Sequence, residues 1–466
     1  VIPVNREMKL DLGNFIPDNG TLHVRIRAGL TSVKANEYTA IRLLFGGQTS
    51  NNANFTQVAS IRDKQVRASS DKPEFIDFEI PLSELTRNPF RKTSKLGTMP
   101  NPAEVLTIQV ISNAKSPLDV HIDYVEINAG IYRQWPPKPH KQIFFDSKNK
   151  KDENKYASEV LKKFMMRSWC RPIKDDEVAR YVTLFTEYRP QFATFEEAML
   201  EVLATVLASP EFLYITQKGH SQNTKGLSGL ELANRLSFFL WSSRPDMELL
   251  KSSRRLKDSK VLQAQVKRML ADPRGQRFAQ NFVQQWLGLD GINNVKIDQK
   301  RHRTFTADLQ KSMLEEPLFF FREVLSSNSS IMDFIDSKYV VINEALAEHY
   351  GIKNVYGPHF RKVAIEPQVK RGGILTNAIV STMNSNGKES NPLKRGIWLL
   401  EHVLNDPPPT PPANVPQVDL TDPAIAKMTL KEQIENHRDN AACRSCHAKI
   451  DPWGIAFENY DAIGTF

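Results

Sequence analysis

The sequence predicts a multidomain β + α protein, an N-terminal antiparallel β-sandwich of jelly-roll type followed by a mainly α-helical body. Three observations carry this. Short alternating or β-branched runs, parted by Asn, Gly, Ser and Pro turns, fill the first 135 residues. Beyond about residue 153 the apolar period changes from two to 3.6. The chain has 466 residues, 40% hydrophobic and 25% charged, enough to bury more than one core.

The strands expected are 22–30 (LHVRIRAGL), 40–47, 75–82 (FIDFEIPL), 105–112 and 118–129. Carbohydrate-binding modules often share this architecture, but a fold does not confer binding. A sugar platform needs exposed aromatics, and burial is the simpler account of aromatics lying in strands. Trp135-Pro136-Pro137 breaks the pattern and reads as a connector. Helices are expected at 156–169, 176–188, 194–209, 229–243, 259–271, 274–289, 307–327 and 343–350, each with apolar residues at i, i+3, i+4 and i+7. Thr194 and Glu197 have capping-box spacing. Near the end, DPPPTPPANVP (406–416) must be extended and reads as a stiff strap. A short helix at 430–441 follows, and DPWG (451–454) reads as a turn. The expected domains are a sandwich at 1–135, a connector with a small helical domain at 136–220, a helical domain at 221–365, and a proline-strapped segment at 366–466.

Net charge is +9, but the basic residues are scattered and no nucleic-acid motif occurs, so a solvated surface is expected and nucleic acid is not a partner. No apolar run reaches the ~18 residues of a membrane span. The opening VIPVNREMKLDLG lacks the basic-then-apolar layout of a signal peptide. The chain stops at Gly464-Thr465-Phe466 in what reads as mid-domain. Three cysteines are too few for a disulfide framework, and Cys170, in FMMRSWCRP, reads as a small buried hydrophobe.

The other two cysteines stand in Cys443-Arg444-Ser445-Cys446-His447, a C-x-x-C-H. Two sulfurs one helical turn apart can form thioethers with the vinyl groups of a haem, and the adjacent histidine is carried under the ring to ligate iron. A disulfide, a redox pair or half a zinc site use the same spacing, although zinc lacks a second Cys/His cluster here. On the haem reading, His447 is the proximal ligand. Met383, in the polar loop STMNSNGKESNPLKRG, is the distal candidate. Met428 and His437 lie nearer in sequence, and His437 is set ten residues back on the helix entering the site. Trp453 and Phe457 are expected at the haem edge, where an apolar shell tunes potential. Arg395 and Lys394 suit the propionates, and Glu458 and Asp461 read as solvated or capping carboxylates.

The series FMMRSWCRPIKDDEVARY, VLASPEFLY, ELANRLSFFLWSSRPD, MLADPRGQRFAQNFVQQWL, NEALAEHYGI, RGGILT, NPLKRGIWLLEHVLNDPPPTPPANVP and HRDNAACRSCHAKIDPWGIAFENYDAIG resembles the large exported cytochrome-c-like proteins of planctomycetes, mosaics of domains of unknown function with C-x-x-C-H segments. The resemblance covers residues from about 135 to 466. It implies covalent haem c and iron, a cytochrome-c-like haem segment, a carbohydrate-binding-like domain at the start, a longer parent chain, and a periplasmic, extracellular or cell-surface location. The expected function is electron transfer to a redox partner protein within a larger multidomain cytochrome. The alternatives are a haem-dependent oxidoreductase on an extracellular, polysaccharide-related substrate, or a scaffold binding polysaccharide through the sandwich with haem as a structural staple.

Overall fold

The structure, a computed structural model, describes residues 1–3, 6–32, 38–49, 52–57, 61–112, 119–214, 226–366, 368–409, 432 and 441–466. They form two compact units. The first holds Val1–Asp146 with Tyr356–Pro358, and the second Ser147–Val355 with His359–Phe466.

The first unit is antiparallel throughout its two sheets. Its strands are β1 (Ile2–Pro3), β2 (Glu7–Asp11), β3 (Thr21–Leu30), β4 (Thr39–Thr49), β5 (Asn52–Gln57), β6 (Lys64–Gln65), β7 (Glu74–Pro81), β8 (Glu104–Ser112) and β9 (Asp119–Ile131). One sheet has the order β1-β9-β3-β7; the other runs β2-β8-β4-β5, with β6 also on β4. Period-2 alternation does the folding work here. Leu22, Val24 and Ile26 of β3, Leu43 and Phe45 of β4, Phe78 and Ile80 of β7, and Leu106 and Ile108 of β8 turn into one shared core. At the core's edge the fully buried Glu104 carboxylate is held by Arg87 through two bonds of 2.7 Å and by the Asn88 N–H at 3.1 Å. A buried carboxylate needs such pairing. A short helix, α1 (Lys138–Ile143), follows β9.

One sequence expectation fails on this sheet. Phe75 of β7 and Tyr124 of β9 are 43% and 51% exposed, not buried. Both flank Arg27 of β3 in register, on the outer side of the four-stranded sheet. Alternation requires every second residue of a strand to face away from the core, whatever its chemistry.

The second unit is helical. It begins with α2 (Glu153–Ser168), α3 (Asp175–Tyr188), α4 (Phe195–Leu207) and α5 (Pro210–Leu213). The capping box of α4 forms as its spacing predicts: Glu197 N–H donates to Thr194 Oγ1 at 3.2 Å and Thr194 N–H to the Glu197 carboxylate at 3.0 Å. Next come α6 (Gly229–Trp241), α7 (Met247–Ser252) and α8 (Ser259–Ala271), which bury Trp241, Leu249 and Met269 together. Then follow α9 (Gln276–Leu287), α10 (Ala307–Ser327), the strand β10 (Tyr339–Ile342), α11 (Glu344–Tyr350), the strand β11 (Arg361–Ala364), α12 (Ala378–Met383), α13 (Pro392–His402) and α14 (Ala441–Ile455). A single apolar core joins α9, α10, β10, α11, α12 and α13 to Ile463 near the chain's end. Among the described residues, no helix is long and apolar enough to cross a membrane.

The protein is therefore an N-terminal antiparallel β region followed by a helical body. Residues 451–454, expected as a turn, are instead helical and continue α14 through Pro452. Proline forfeits one helical hydrogen bond, and close packing of the same stretch on α13 offsets that loss. The strap beyond Pro409 and the 430–441 helix lie outside the described residues except for Glu432.

Candidate cofactor site on the last helix

C-x-x-C-H occupies the first two turns of α14. A helix brings positions three and four apart onto one face, the spacing that the motif requires. The side chain of Cys443 lies outside the described residues, as do Met428 and His437; Cys446 is a half-buried free thiol. His447 is mostly buried, with its side chain 12% exposed. Its Nδ1 lies 2.9 Å from Oδ1 of Asp451, one turn further along the same helix. A carboxylate accepts, so Nδ1–H donates, and in the neutral imidazole Nε2 then carries the lone pair. Asp451 is itself buried, and among the described residues its Oδ2 has no hydrogen-bond partner. The donor set thus combines a thiol, an imidazole of defined tautomer and a buried carboxylate behind it, which suits a covalently held haem iron.

The helix is seated by backbone contact. A Cβ on Gly454 would stand 2.0 Å from the Pro392 carbonyl oxygen, and one on Gly396 would stand 2.5 Å from that of Ile450. Two glycines, one on each helix, therefore let the α13 and α14 backbones approach closely, with the Ile450 side chain packed against Gly396. The turn after α14 is gripped from α13 by Arg395, which is fully buried. Its Nη1 donates to the carbonyls of Phe457 and Tyr460 at 2.8 Å each, and its Nη2 to that of Asp461 at 2.7 Å. Glu458 stands 3.5 Å from the same guanidinium and accepts from the Ser390 hydroxyl at 2.7 Å; burial pushes its carboxyl up. The Asp461 carboxylate accepts from the N–H groups of Ile463 and Thr465 at 2.9 and 2.8 Å. Lys449 reaches Asp406 at 2.6 Å, tying the start of the proline strap to the helix.

The remaining predicted site residues occupy distinct settings. Trp453 is 43% exposed on α14, and Phe457 packs against the central core. Met383 ends α12 buried in that core, its sulfur close to Gly291. Lys394 donates its backbone N–H to the Asn391 cap of α13. Cys170 is buried, and burial pushes its thiol up.

A second polar cluster lies deeper in the same unit and went unnoticed in the sequence. Glu316 on α10 is 1% exposed and accepts from the Tyr350 hydroxyl at 2.6 Å. Arg371 lies over the Tyr350 ring, 3.7 Å from its centroid, and donates to the carbonyls of Thr376, at 2.7 Å, and Gly464. Burial lifts the Glu316 carboxyl to about 7, against the pull of Tyr350 and Arg371. His349 meets the Ile463 carbonyl at 2.8 Å, and Tyr460 donates to that of Lys370, so this cluster also grips the residues that follow α14.

Asp451 is the functional candidate that the sequence reading missed. Its signal was available: a carboxylate four residues after the motif histidine, within reach on any continuous helix. Reading 451–454 as a turn hid it.

A search among curated proteins returns no match. Three families do match, in chain order: PSD5, a protein of unknown function (DUF1595), over 156–217; PSD4, a protein of unknown function (DUF1592), over 227–352; and PSCyt3, a protein of unknown function (DUF1588), over 371–466. The last, a cytochrome-like domain, spans α12, α13, α14 and the residues gripped by Arg395 and Arg371. These three modules, in this order, are the domains of planctomycete-type multidomain cytochrome-c-like proteins.

Proposed function

We propose that the chain is an exported c-type haem protein that transfers electrons within a larger multidomain cytochrome. The observation that carries this reading is the pairing of the motif histidine His447 with the buried Asp451, in the segment that matches the cytochrome-like family. Cys443 and Cys446 would hold the haem through thioethers, and His447 would supply the proximal ligand through Nε2. When bound, the haem supplies one-electron chemistry, and the protein sets its potential and access. The chain's own residues hold the imidazole's bearing through α13, keep the proton on Nδ1 through Asp451, and exclude water with the apolar core behind Phe457. Arg395, with its Nη groups on three carbonyls, acts in this reading by fixing the turn after α14. Trp453 and Phe457 remain the proposed apolar contacts, and Met383 the proposed distal ligand once its sulfur leaves its packing beside Gly291. Attachment of haem to such motifs outside the cytoplasm supports a periplasmic or cell-surface location in this reading.

The test is expression with a haem-attachment system, followed by a pyridine haemochrome and a reduced-minus-oxidised spectrum. We expect c-type bands that survive denaturation and are lost when both Cys443 and Cys446 are replaced by Ala. Their absence from the wild type overturns the proposal. Carbon monoxide added to the reduced protein distinguishes an open or labile sixth position, which favours an oxidoreductase, from a firmly held distal ligand.

One observation favours a second reading, glycan binding by the sandwich. Phe75 and Tyr124 stand exposed, with ring centroids 6.2 Å apart, on the outer side of one sheet. A glycan array on the full chain, with Phe75→Ala/Tyr124→Ala as control, tests it; uniform non-binding by both removes this reading.

A further inference from the structure

We infer that Asp451 is a positioning residue for the haem-ligating His447: its carboxylate sets the imidazole tautomer and strengthens His447 as a donor to iron, drawing the reduction potential down. The inference rests on the haem reading above and deepens it.

Three features of the pair support it. First, the bond is short and directional at 2.9 Å, and the two residues share one helix face at i and i+4. Second, it is dry. The side chains are 12% and 2% exposed, so little solvent screens the charge. An ordinary i, i+4 pair on a helix surface contributes a few tenths of a kcal/mol and is solvated; a carboxylate this buried is costly unless something opposite compensates it. Third, the compensation within the chain is incomplete. Among the described residues Asp451 Oδ2 has no hydrogen-bond partner, and Lys449, two residues away, pairs with Asp406 instead. A cation held by the imidazole at Nε2 would complete the arrangement, and a haem iron would supply it.

The physical consequence follows from charge. A carboxylate accepting from Nδ1–H gives the ring partial imidazolate character and raises its basicity at Nε2. A more basic ligand favours the more highly charged ferric state over the ferrous. A neutral acceptor in the same place keeps the tautomer and loses the charge. Asn at 451 makes that comparison, since its carbonyl oxygen can still accept from Nδ1–H.

The experiment compares the haem-loaded full chain with Asp451→Asn and, as a control for altered charge on the same helix, Lys449→Gln. Haem content is measured first: a wild type without c-type bands defeats the parent reading and leaves this one without a subject. With haem present, redox titration is expected to give a more positive midpoint potential in Asp451→Asn and an unchanged one in Lys449→Gln. In the wild type, the His447 ring proton is expected far downfield in the proton NMR spectrum and slow to exchange, a readout that needs no variant to fold. Equal potentials in wild type and Asp451→Asn, or a fast-exchanging ring proton in the wild type, overturn the inference.

Discussion

Replacing Glu316 by Gln removes a buried charge with little change of shape, and the consequence for stability can be worked out. Glu316 Oε2 accepts from Tyr350, while Oε1 is buried with no well-formed hydrogen bond among the described residues. The folded carboxyl titrates at about 7 against an ordinary 4.5, because burial outweighs Tyr350 and Arg371. In that pH window the folded state keeps a proton that the unfolded chain has released, so stability falls as pH rises. Below 4.5 both states are protonated and no penalty exists; above about 7 the penalty is complete and flat. At about 1.4 kcal/mol per pH unit, the gap amounts to about 3 kcal/mol. Gln is neutral at every pH and escapes it. The assay is urea unfolding of wild type and Glu316→Gln at about pH 4 and about pH 8, comparing the two proteins at each pH. Tryptophan fluorescence is the signal; of the six tryptophans all but Trp135 lie in the helical unit, so it reports that unit's transition. The variant is expected to gain about 3 kcal/mol over the wild type between the two conditions. Other shifted groups, among them Glu458 and His349, are common to both proteins and cancel in the difference. A difference that does not change with pH, or that favours the wild type at high pH, refutes the argument.

Three further outcomes are expected. Gly454→Ala drives a methyl into the Pro392 carbonyl and forces α13 and α14 apart, lowering stability by about 1–3 kcal/mol in thermal unfolding and reducing haem incorporation. Arg395→Met strips donors from three carbonyls and leaves Glu458 without its guanidinium, lowering the urea midpoint of the helical unit by the equivalent of about 3 kcal/mol or more. Once haem occupies Cys443 and Cys446, Ellman's reagent is expected to find almost no reactive thiol in the native protein and about one per chain after denaturation, because Cys170 is buried and its thiol is pushed up.

Long periodic segments were legible in the sequence. The α10 helix runs over the same residues its apolar period marks, and β3 differs from its alternation by one residue. β2 and β5 were not legible: EMKLD and NANFTQ are short and polar, and only pairing with β8 and β4 makes them strands. Period two shows that a strand has two faces without saying which aromatics lie outward, so Phe75 and Tyr124 were misread. Arg395 shows a different limit. Its acceptors lie 62 to 66 residues further along the chain, and no local pattern records that adjacency. Asp451 was legible in principle, at helical spacing from His447, and was lost because a local turn signal outweighed a tertiary seat that only the structure reveals.

The direct seating of α14 on α13 also bears on how fast an electron could move. Long side chains between two helices let them slide and rotate by swapping rotamers, whereas Gly396 and Gly454 bring the backbones close and leave only the short Ile450 side chain at the contact. With the following turn held at three carbonyls, the helix carrying His447 can neither roll nor advance when charge at its face changes. The nuclear rearrangement that accompanies each change of oxidation state is then confined to the ligand bonds and nearby solvent. Low reorganisation energy of this kind is what the proposed electron relay would require, and two absent side chains would contribute to it.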